Sequence, residues 1–143
     1  MMETKEADFL WEYLDWDGNP ILESALAYAK IGWPVFPLHT PTLNGCSCSN
    51  GGNCPTNSRG KHPRTPNGFK DATTDPEVIR YWWGKWPKAN IGIATGKVSG
   101  IFVVDVDPRN RGDVTLQELE QTHGELSQEH TVSTGGGGLH FYF

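Results

Sequence analysis

Two aspartates end an apolar segment of the sequence, "GIFVVDVDPRN" at residues 100–110. Because side chains on a strand alternate between its faces, Asp105 and Asp107 are predicted to point the same way, away from Val104 and Val106. Neighbouring carboxylates repel each other unless a cation lies between them or water reaches them freely. The pair therefore indicates a site for a divalent cation. The structural alternative is an Asp-Pro turn opened by Asp107, with Asp105 as a solvated strand end.

All three cysteines lie within nine residues of one polar segment, and a histidine follows them. An odd number of cysteines fits a disulfide framework poorly, and a cytosolic chain is expected to keep its thiols reduced. Three thiolates and one imidazole are instead a common ligand set for tetrahedral zinc. Cys46, Cys48, Cys54 and His62 are therefore predicted to hold a structural Zn2+ ion. His39 is a competing fourth ligand, and free surface cysteines are the alternative to a metal site.

Four consecutive glycines, Gly135 to Gly138, precede a histidine in the segment "STGGGGLHFYF". Glycine lets the backbone approach a ligand closely and leaves amide groups open to a phosphate, with Gly136 and Gly137 at the centre of the run. On a strand, His140 shares a face with Tyr142, while the alternate positions are apolar and suit a core. The segment thus predicts a phosphate-binding turn beside His140. The alternative is a turn without a ligand and a surface histidine.

Helices and strands alternate along the rest of the sequence and must position these residues. Helical spacing and end signals predict helices in "PILESALAYAKIG", "TDPEVIRYWWGKWP", capped by Thr74 or Asp75, and "DVTLQELEQTHG". Strands are predicted in "PVFPL", in "ANIGIATG" and "GIFVVDVD" joined by a turn, and in a terminal hairpin. Residues 39–70 are too long and polar for an ordinary connection and hold the cysteines. The pattern predicts an α+β fold with a mixed or antiparallel sheet flanked by helices.

Length and composition indicate a single globular domain. The chain has 143 residues, of which 36% are hydrophobic, including six Trp. No apolar run approaches the roughly 18 residues that a membrane span needs. The acidic start "MMETKEADFL" lacks the basic and apolar regions of a secretory signal. The protein is therefore expected to be cytoplasmic and to have no membrane partner.

The formal net charge of −5 is unevenly distributed. Residues 1–20 carry six acidic side chains against Lys5 alone, which accounts for the whole imbalance. Between residues 59 and 97, basic side chains outnumber acidic ones by five. A locally basic stretch can hold phosphates, although a solvated surface is the commoner reason for such an excess. The acidic total therefore does not exclude a nucleic-acid partner.

The order of these motifs closely resembles the bifunctional primase-polymerase domain of phage and plasmid replication proteins, in the archaeo-eukaryotic primase superfamily. The resemblance covers about residues 20–143 and rests on "AYAKIGWPVFPLH", the cysteine segment, "GKHPRTPNGFKDATTD", "IRYWW", "WPKANIGIATGKVSGIFVVDVD" and "TGGGGLHFYF". It implies the N-terminal part of an archaeo-eukaryotic primase-like domain over 20–143. A zinc-knuckle insertion is expected at about 39–65, and an acidic extension at 1–19 precedes the domain.

The resemblance also implies roles for individual residues. By similarity, Asp105 and Asp107 bind the catalytic Mg2+ or Mn2+, and His140 contacts the phosphates of the incoming nucleotide. Four weaker candidates lie in segments that line the active site of similar proteins: Lys61, Arg64, Thr95 and Gly96. The implied activity is a DNA-dependent nucleotidyltransferase that makes primers and extends DNA by two-metal phosphoryl transfer. Its partners would be a single-stranded DNA template, nucleoside triphosphates, and a replicative helicase domain or subunit.

One departure and two alternatives accompany this interpretation. Similar domains continue to a third acidic residue on a later strand, whereas this sequence ends at Phe143, so the domain is expected to be truncated at its C-terminus. A non-catalytic, zinc-stabilised module that binds single-stranded DNA is one alternative. A metal-dependent nucleotide-sugar transferase, which also uses Asp-x-Asp to hold a metal and a diphosphate, is the other. The cysteine segment and the histidine after the glycines disfavour the transferase.

Overall fold

The structure, a computed structural model, describes residues 18–143. The acidic extension predicted at residues 1–19 therefore lies outside the described residues, apart from its last two. The described chain contains three α-helices and seven strands, and it divides into two compact units at Ala94 and Thr95. No helix among residues 18–143 is both long and apolar enough to cross a membrane.

Two capped helices form one side of the first unit. Helix α1 spans Pro20–Lys30, and the side chain of Asn19 accepts hydrogen bonds from the first turn. Helix α2 spans Pro76–Lys85, and the Asp75 carboxylate accepts from the N–H of Glu77 at 2.9 Å. Proline occupies the first position of both helices, where its missing N–H costs nothing. The predicted helices are confirmed, with Asp75 rather than Thr74 as the second cap.

The helices pack on a two-stranded antiparallel sheet. Strand β1 (Val35–Leu38) pairs with β4 (Asn90–Ile93). A Cβ at Gly92 would lie 2.5 Å from the ring of Phe36, so glycine gives this ring its space. The core of the unit comprises seven buried residues: Leu22, Ala25, Ala29, Val35, Ile79, Trp83 and Ala89. The predicted strand in "ANIGIATG" thus exists, but its partner is β1, and the turn that follows it lies in the second unit.

The polar segment between β1 and α2 has little core of its own. It contains a short hairpin of β2 (Pro41–Thr42) and β3 (Gly45–Cys46), followed by three 3-10 turns. Its buried side chains are Cys46, Cys54 and Thr65. Because so little apolar surface is buried, other interactions must hold the segment together.

The second unit is a three-stranded antiparallel sheet with one helix. Strand β5 (Val103–Val106) is followed by α3 (Gly112–His123), β6 (Thr131–Ser133) and β7 (Leu139–Tyr142), and the strand order is β5-β7-β6. Helix α3 contacts β5 and ends at Gly124, as the sequence predicts. The terminal hairpin is confirmed as β6 and β7 around the glycine run. Both units are antiparallel, and the predicted α+β class is confirmed.

Trp83 tests the core of the first unit. Its side chain is 1% exposed, and its Nε1–H donates to the carbonyl of Ala89 at 3.1 Å. We expect Trp83→Phe to lower the free energy of unfolding by about 1–3 kcal/mol, because it leaves a cavity and an unpaired carbonyl. Trp82→Phe, on the same helix but half-buried, is the matched control and should cost less. Urea unfolding followed by far-UV circular dichroism measures both; a larger loss for Trp82→Phe would contradict this packing.

Candidate active site and metal centre

The register of β5 and β7 places Asp105 directly opposite His140. The Nε2 atom of His140 lies 3.5 Å from Oδ1 of Asp105. This distance is too long for a strong hydrogen bond. The Asp105 side chain is 67% exposed, so its carboxylate stays open to another ligand. Two motifs that are far apart in the sequence therefore meet at one point of the sheet.

Asp107 lies just beyond the end of β5 and caps the 3-10 turn Pro108–Asn110. Its Oδ1 accepts from the backbone N–H and from Nε of Arg109, both at 3.0 Å. Its Oδ2 accepts from Nη2 of Arg109 at 2.9 Å and from Nδ2 of Asn110 at 3.2 Å. The Arg109 hydrogen bonds, foremost among several causes, lower the pKa of the Asp107 carboxyl group. The Asp-Pro turn proposed as a structural alternative is thus present, and Asp107 is an ionised carboxylate within it.

Arg109 is a site residue that the sequence analysis missed. Hydrogen bonds from its guanidinium to Asp107 raise the pKa of Arg109, and the charge of Asp105 raises it further. Both carboxylates therefore act on the same guanidinium, as expected if they lie near one another. The only signal in the sequence is an arginine two residues after an Asp-Pro turn begins, and that spacing alone does not specify a bidentate contact.

The glycine run forms a compact turn held by Thr134. The N–H groups of Gly137 and Gly138 donate to the carbonyl and the hydroxyl of Thr134, both at 3.0 Å. Gly137 adopts a φ of +81°, which other residues rarely adopt. Among the described residues, none accepts a hydrogen bond from the N–H of Gly135 or Gly136. Of the two central glycines, Gly136 thus has the available amide, and Gly137 provides the backbone conformation.

This turn approaches the end of β5 closely. A Cβ at Gly138 would lie 2.5 Å from the backbone carbonyl oxygen of Val106, so no larger residue fits there without a shift. A Cβ at Gly136 would lie 3.2 Å from Cζ of Arg109. The turn, the Asp107 carboxylate and the Arg109 guanidinium are therefore neighbours in the second unit.

The weaker candidates are divided between the units. Thr95 and Gly96 begin the second unit, where the Gly96 N–H donates to the carbonyl of Ile101 at 2.6 Å. Lys61 and Arg64 belong to the first unit, and Lys61 is exposed. A nucleotide contact for any of these four residues stays a prediction.

Arg64 has partners inside the first unit. Its Nε donates to the carbonyl of Leu38 at 3.1 Å, and its Nη2 donates to the hydroxyl of Ser47 at 2.7 Å. These bonds tie the cysteine segment to β1. Arg64 therefore has a structural role within the described residues, whatever else it contacts.

The three cysteines and His62 form one cluster. Their ligand atoms all lie within 4.8 Å of one another. Nε2 of His62 is 3.4 Å from Sγ of Cys46 and 3.5 Å from Sγ of Cys54. A zinc ion with bonds of about 2.0–2.3 Å separates its tetrahedral ligands by about 3.5–3.8 Å, so the cluster needs little rearrangement to bind zinc. Residues Cys46, Cys48, Cys54 and His62 could thus hold Zn2+.

His39 lies beside this cluster but is not part of it. Its ring centroid is 4.8 Å from that of His62, and its Nδ1 is 3.0 Å from the Ser47 hydroxyl. Its backbone N–H donates to the His62 carbonyl at 2.8 Å. The geometry therefore favours His62 as the fourth ligand, as the sequence analysis preferred.

The thiols of the cluster do not ionise independently. Burial acts to raise the pKa of Cys46, but backbone N–H groups of Gly60 and Cys48 and the His62 side chain outweigh it and lower the value to about 6. Burial and the neighbouring thiols raise the pKa of Cys54 to about 11. One thiolate therefore forms readily at neutral pH, whereas ionisation of a second thiol is opposed. A bound dication would compensate the negative charge and remove that opposition.

Comparison with known families identifies the chain. Residues 25–143 match the family described as bifunctional DNA primase/polymerase, N-terminal. Since the match covers most of the chain, the protein belongs to this family, and the predicted resemblance is confirmed. Comparisons with curated proteins and with solved structures gave no significant match. The family supports a replication role of the primase/polymerase type, with DNA and nucleotides as substrates.

Zinc binding can be tested by a matched pair of histidines. The chain purified without chelator is expected to contain about one zinc ion per molecule. His62→Ala should weaken zinc binding at least about a hundredfold, since loss of even an outer hydrogen-bond partner costs up to that much. His39→Ala should retain zinc. Competition with a chromophoric chelator measures both; retention by His62→Ala together with loss by His39→Ala would reverse the assignment.

The close approach of the turn to β5 predicts different effects of two glycine substitutions. Gly138→Ala should destabilise the β5-β7 pairing by about 1–3 kcal/mol, because the added methyl group meets a backbone carbonyl. Gly135→Ala, with open space around its Cβ, is the control. Hydrogen exchange at the amides of β7 measures the stability of this pairing locally. Tryptophan fluorescence would instead report on the first unit. Equal exchange in the two variants would contradict the described contact.

Proposed function

We propose that this domain is a DNA-dependent nucleotidyltransferase, which makes primers and extends DNA on a single-stranded template. The observation that carries the proposal is that Asp105 and His140 face each other in one small sheet, with Asp107 and the glycine turn at the end of strand β5. Family membership supports the reaction class. By resemblance to phage and plasmid replication proteins, we extend the proposal to that setting and to a helicase domain or subunit as partner.

The carboxylates supply the oxygen ligands that Mg2+ and Mn2+ prefer. Asp105 is exposed and engaged by His140 only at 3.5 Å, so it can accept a cation without losing a strong hydrogen bond. Asp107 is ionised and follows at the strand end. Asp105 and Asp107 would hold divalent cations, which would supply activation of the primer 3′-hydroxyl and compensation of charge on the triphosphate.

His140 and the glycine turn are the groups of the chain suited to hold the triphosphate. His140 stands on the strand that leaves the turn, with its Nε2 directed at Asp105. An imidazole N–H can donate to a phosphate oxygen, and the Gly136 amide adds a backbone donor. These groups bind and orient the nucleotide rather than take the proton from the hydroxyl, because orientation of the phosphate is what in-line transfer requires.

The zinc centre has a structural task in this proposal. Four protein ligands leave no open position for substrate. Zn2+ would instead hold the polar segment at about 39–65, which buries too few apolar side chains to hold itself. Catalysis and zinc binding therefore use separate sets of residues.

Substitution of the carboxylates tests the proposal. Asp105→Asn and Asp107→Asn should lower the affinity of the 143-residue chain for a deoxynucleoside triphosphate with Mn2+ at least about tenfold, because each removes an anionic metal ligand. In a protein extended to the full length of the domain, either substitution should abolish template-directed incorporation, and His140→Ala should weaken nucleotide binding and slow incorporation. Asp113→Asn, which removes an exposed charge at the start of α3, is the control. Fluorescence titration with a labelled nucleotide measures binding.

Other outcomes would favour the alternatives. Nucleotide affinity that is unchanged in both aspartate variants would reject the proposed active site. Binding of single-stranded DNA with no nucleotide binding would favour the zinc-stabilised DNA-binding module. Transfer from a nucleotide sugar, without response to a DNA template, would favour the transferase.

A further inference from the structure

The hydrogen bonds of Asp107 leave no room for a further ligand. An ionised carboxylate has about four lone-pair sites, two on each oxygen. In this structure Oδ1 and Oδ2 each accept two hydrogen bonds, and two of the four come from the guanidinium of Arg109. The other two come from the Arg109 backbone N–H and the Asn110 side chain. A cation that coordinates Asp107 must therefore displace at least one of these donors.

The guanidinium of Arg109 is the donor best able to leave. The backbone N–H of Arg109 is fixed by the turn, whereas the arginine side chain is 63% exposed and can rotate. An exposed ion pair is also individually weak, so a dication can compete with it. Arg109 and a metal ion are thus rivals for the same oxygens.

A displaced guanidinium would already lie at the glycine turn. A Cβ built at Gly136 would be 3.2 Å from both Cζ and Nη2 of Arg109, so the guanidinium already lies beside the backbone of the turn. The Gly136 amide is the one that the proposed function offers to the triphosphate. A guanidinium suits a phosphate well, because its planar fork donates two parallel hydrogen bonds.

We propose that Arg109 couples the metal site to the triphosphate: it competes with a cation for Asp107 and binds the phosphates of the nucleotide that arrives with that cation. This inference rests on the proposed function and adds a nucleotide-binding residue to it. A cation that arrives alone must compete with the Arg109 guanidinium for the Asp107 carboxylate. A cation that arrives with a nucleotide competes more easily, because the phosphates give the guanidinium a new anionic partner. Metal and nucleotide then strengthen each other's binding, and by linkage the factor is the same in both directions.

Arg111 provides a matched comparison in the same loop. It carries the same charge two residues away, but no hydrogen bond joins it to Asp107 among the described residues. Its φ of 61° is left-handed, so Asn, which tolerates this conformation, is the suitable replacement. Arg111→Asn thus removes a nearby positive charge without touching the proposed contact.

The experiment measures Mn2+ binding by electron paramagnetic resonance, with and without a non-hydrolysable deoxynucleoside triphosphate analogue. The zinc-loaded 143-residue chain is compared with Arg109→Met, which keeps the length of the side chain but no donor, and with Arg111→Asn. In Arg109→Met we expect Mn2+ alone to bind about two- to fivefold more tightly, since its competitor is gone. The analogue should bind about tenfold or more weakly at saturating Mn2+.

Opposite effects on the two ligands distinguish coupling from a structural role. Arg111→Asn should change both affinities less than Arg109→Met does. If Arg109→Met weakens both ligands, or changes neither, Arg109 does not couple them and the inference is wrong while the proposed function stands. If the wild-type chain binds no analogue at any Mn2+ concentration, the proposed function fails and the inference with it. Hydrogen exchange in β7 verifies that the variants are folded. If Arg109→Met does not fold, Arg109→Lys replaces it; lysine keeps the charge but not the planar pair of donors, and it should show intermediate coupling.

Discussion

Antiparallel pairing of β5 with β7 is the constraint on which the candidate active site depends. Its register sets Asp105 opposite His140, and a slip of one residue would turn every side chain of the strand to the other face. Two contacts oppose such a slip. Phe141 is buried on the core side, and the backbone of Gly138 lies against the carbonyl of Val106. The glycine run therefore positions the strands as well as offering an amide to a ligand.

The two aspartates differ in how the chain compensates their charge. Asp105 lies within the strand, exposed, with a histidine at 3.5 Å as its neighbour. Asp107 lies one residue past the strand end, where the turn directs several donors at its oxygens. The first carboxylate is available to a cation at little cost, and the second is available only by exchange with Arg109. A strand that ends between the two positions gives identical side chains different chemistry.

Local patterns made much of this fold predictable from the sequence. The starts of two helices followed from Pro20 and Pro76. The alternation of side chains between the faces of a strand placed His140 on the face opposite Phe141. The partner of β4 was not predictable, because pairing depends on tertiary packing among strands of similar composition. Arg109 was missed for a related reason: its bidentate contact exists only in the conformation of the turn, which residue spacing does not specify. Contacts within an element are local, and contacts between elements are not.

Charge balance also separates the two candidate metal sites of the chain. Cys46, with a pKa near 6, ionises readily, but Cys54, with a pKa near 11, does not, because burial and the neighbouring thiols oppose a second negative charge. A bound dication would compensate this repulsion, so zinc binding should be linked to folding of the segment. Asp107, in contrast, has a permanently charged guanidinium beside it. The charge of the Asp107 carboxylate can therefore stay balanced while ligands exchange, as the proposed function requires, whereas the thiolate cluster is suited to an ion that stays bound.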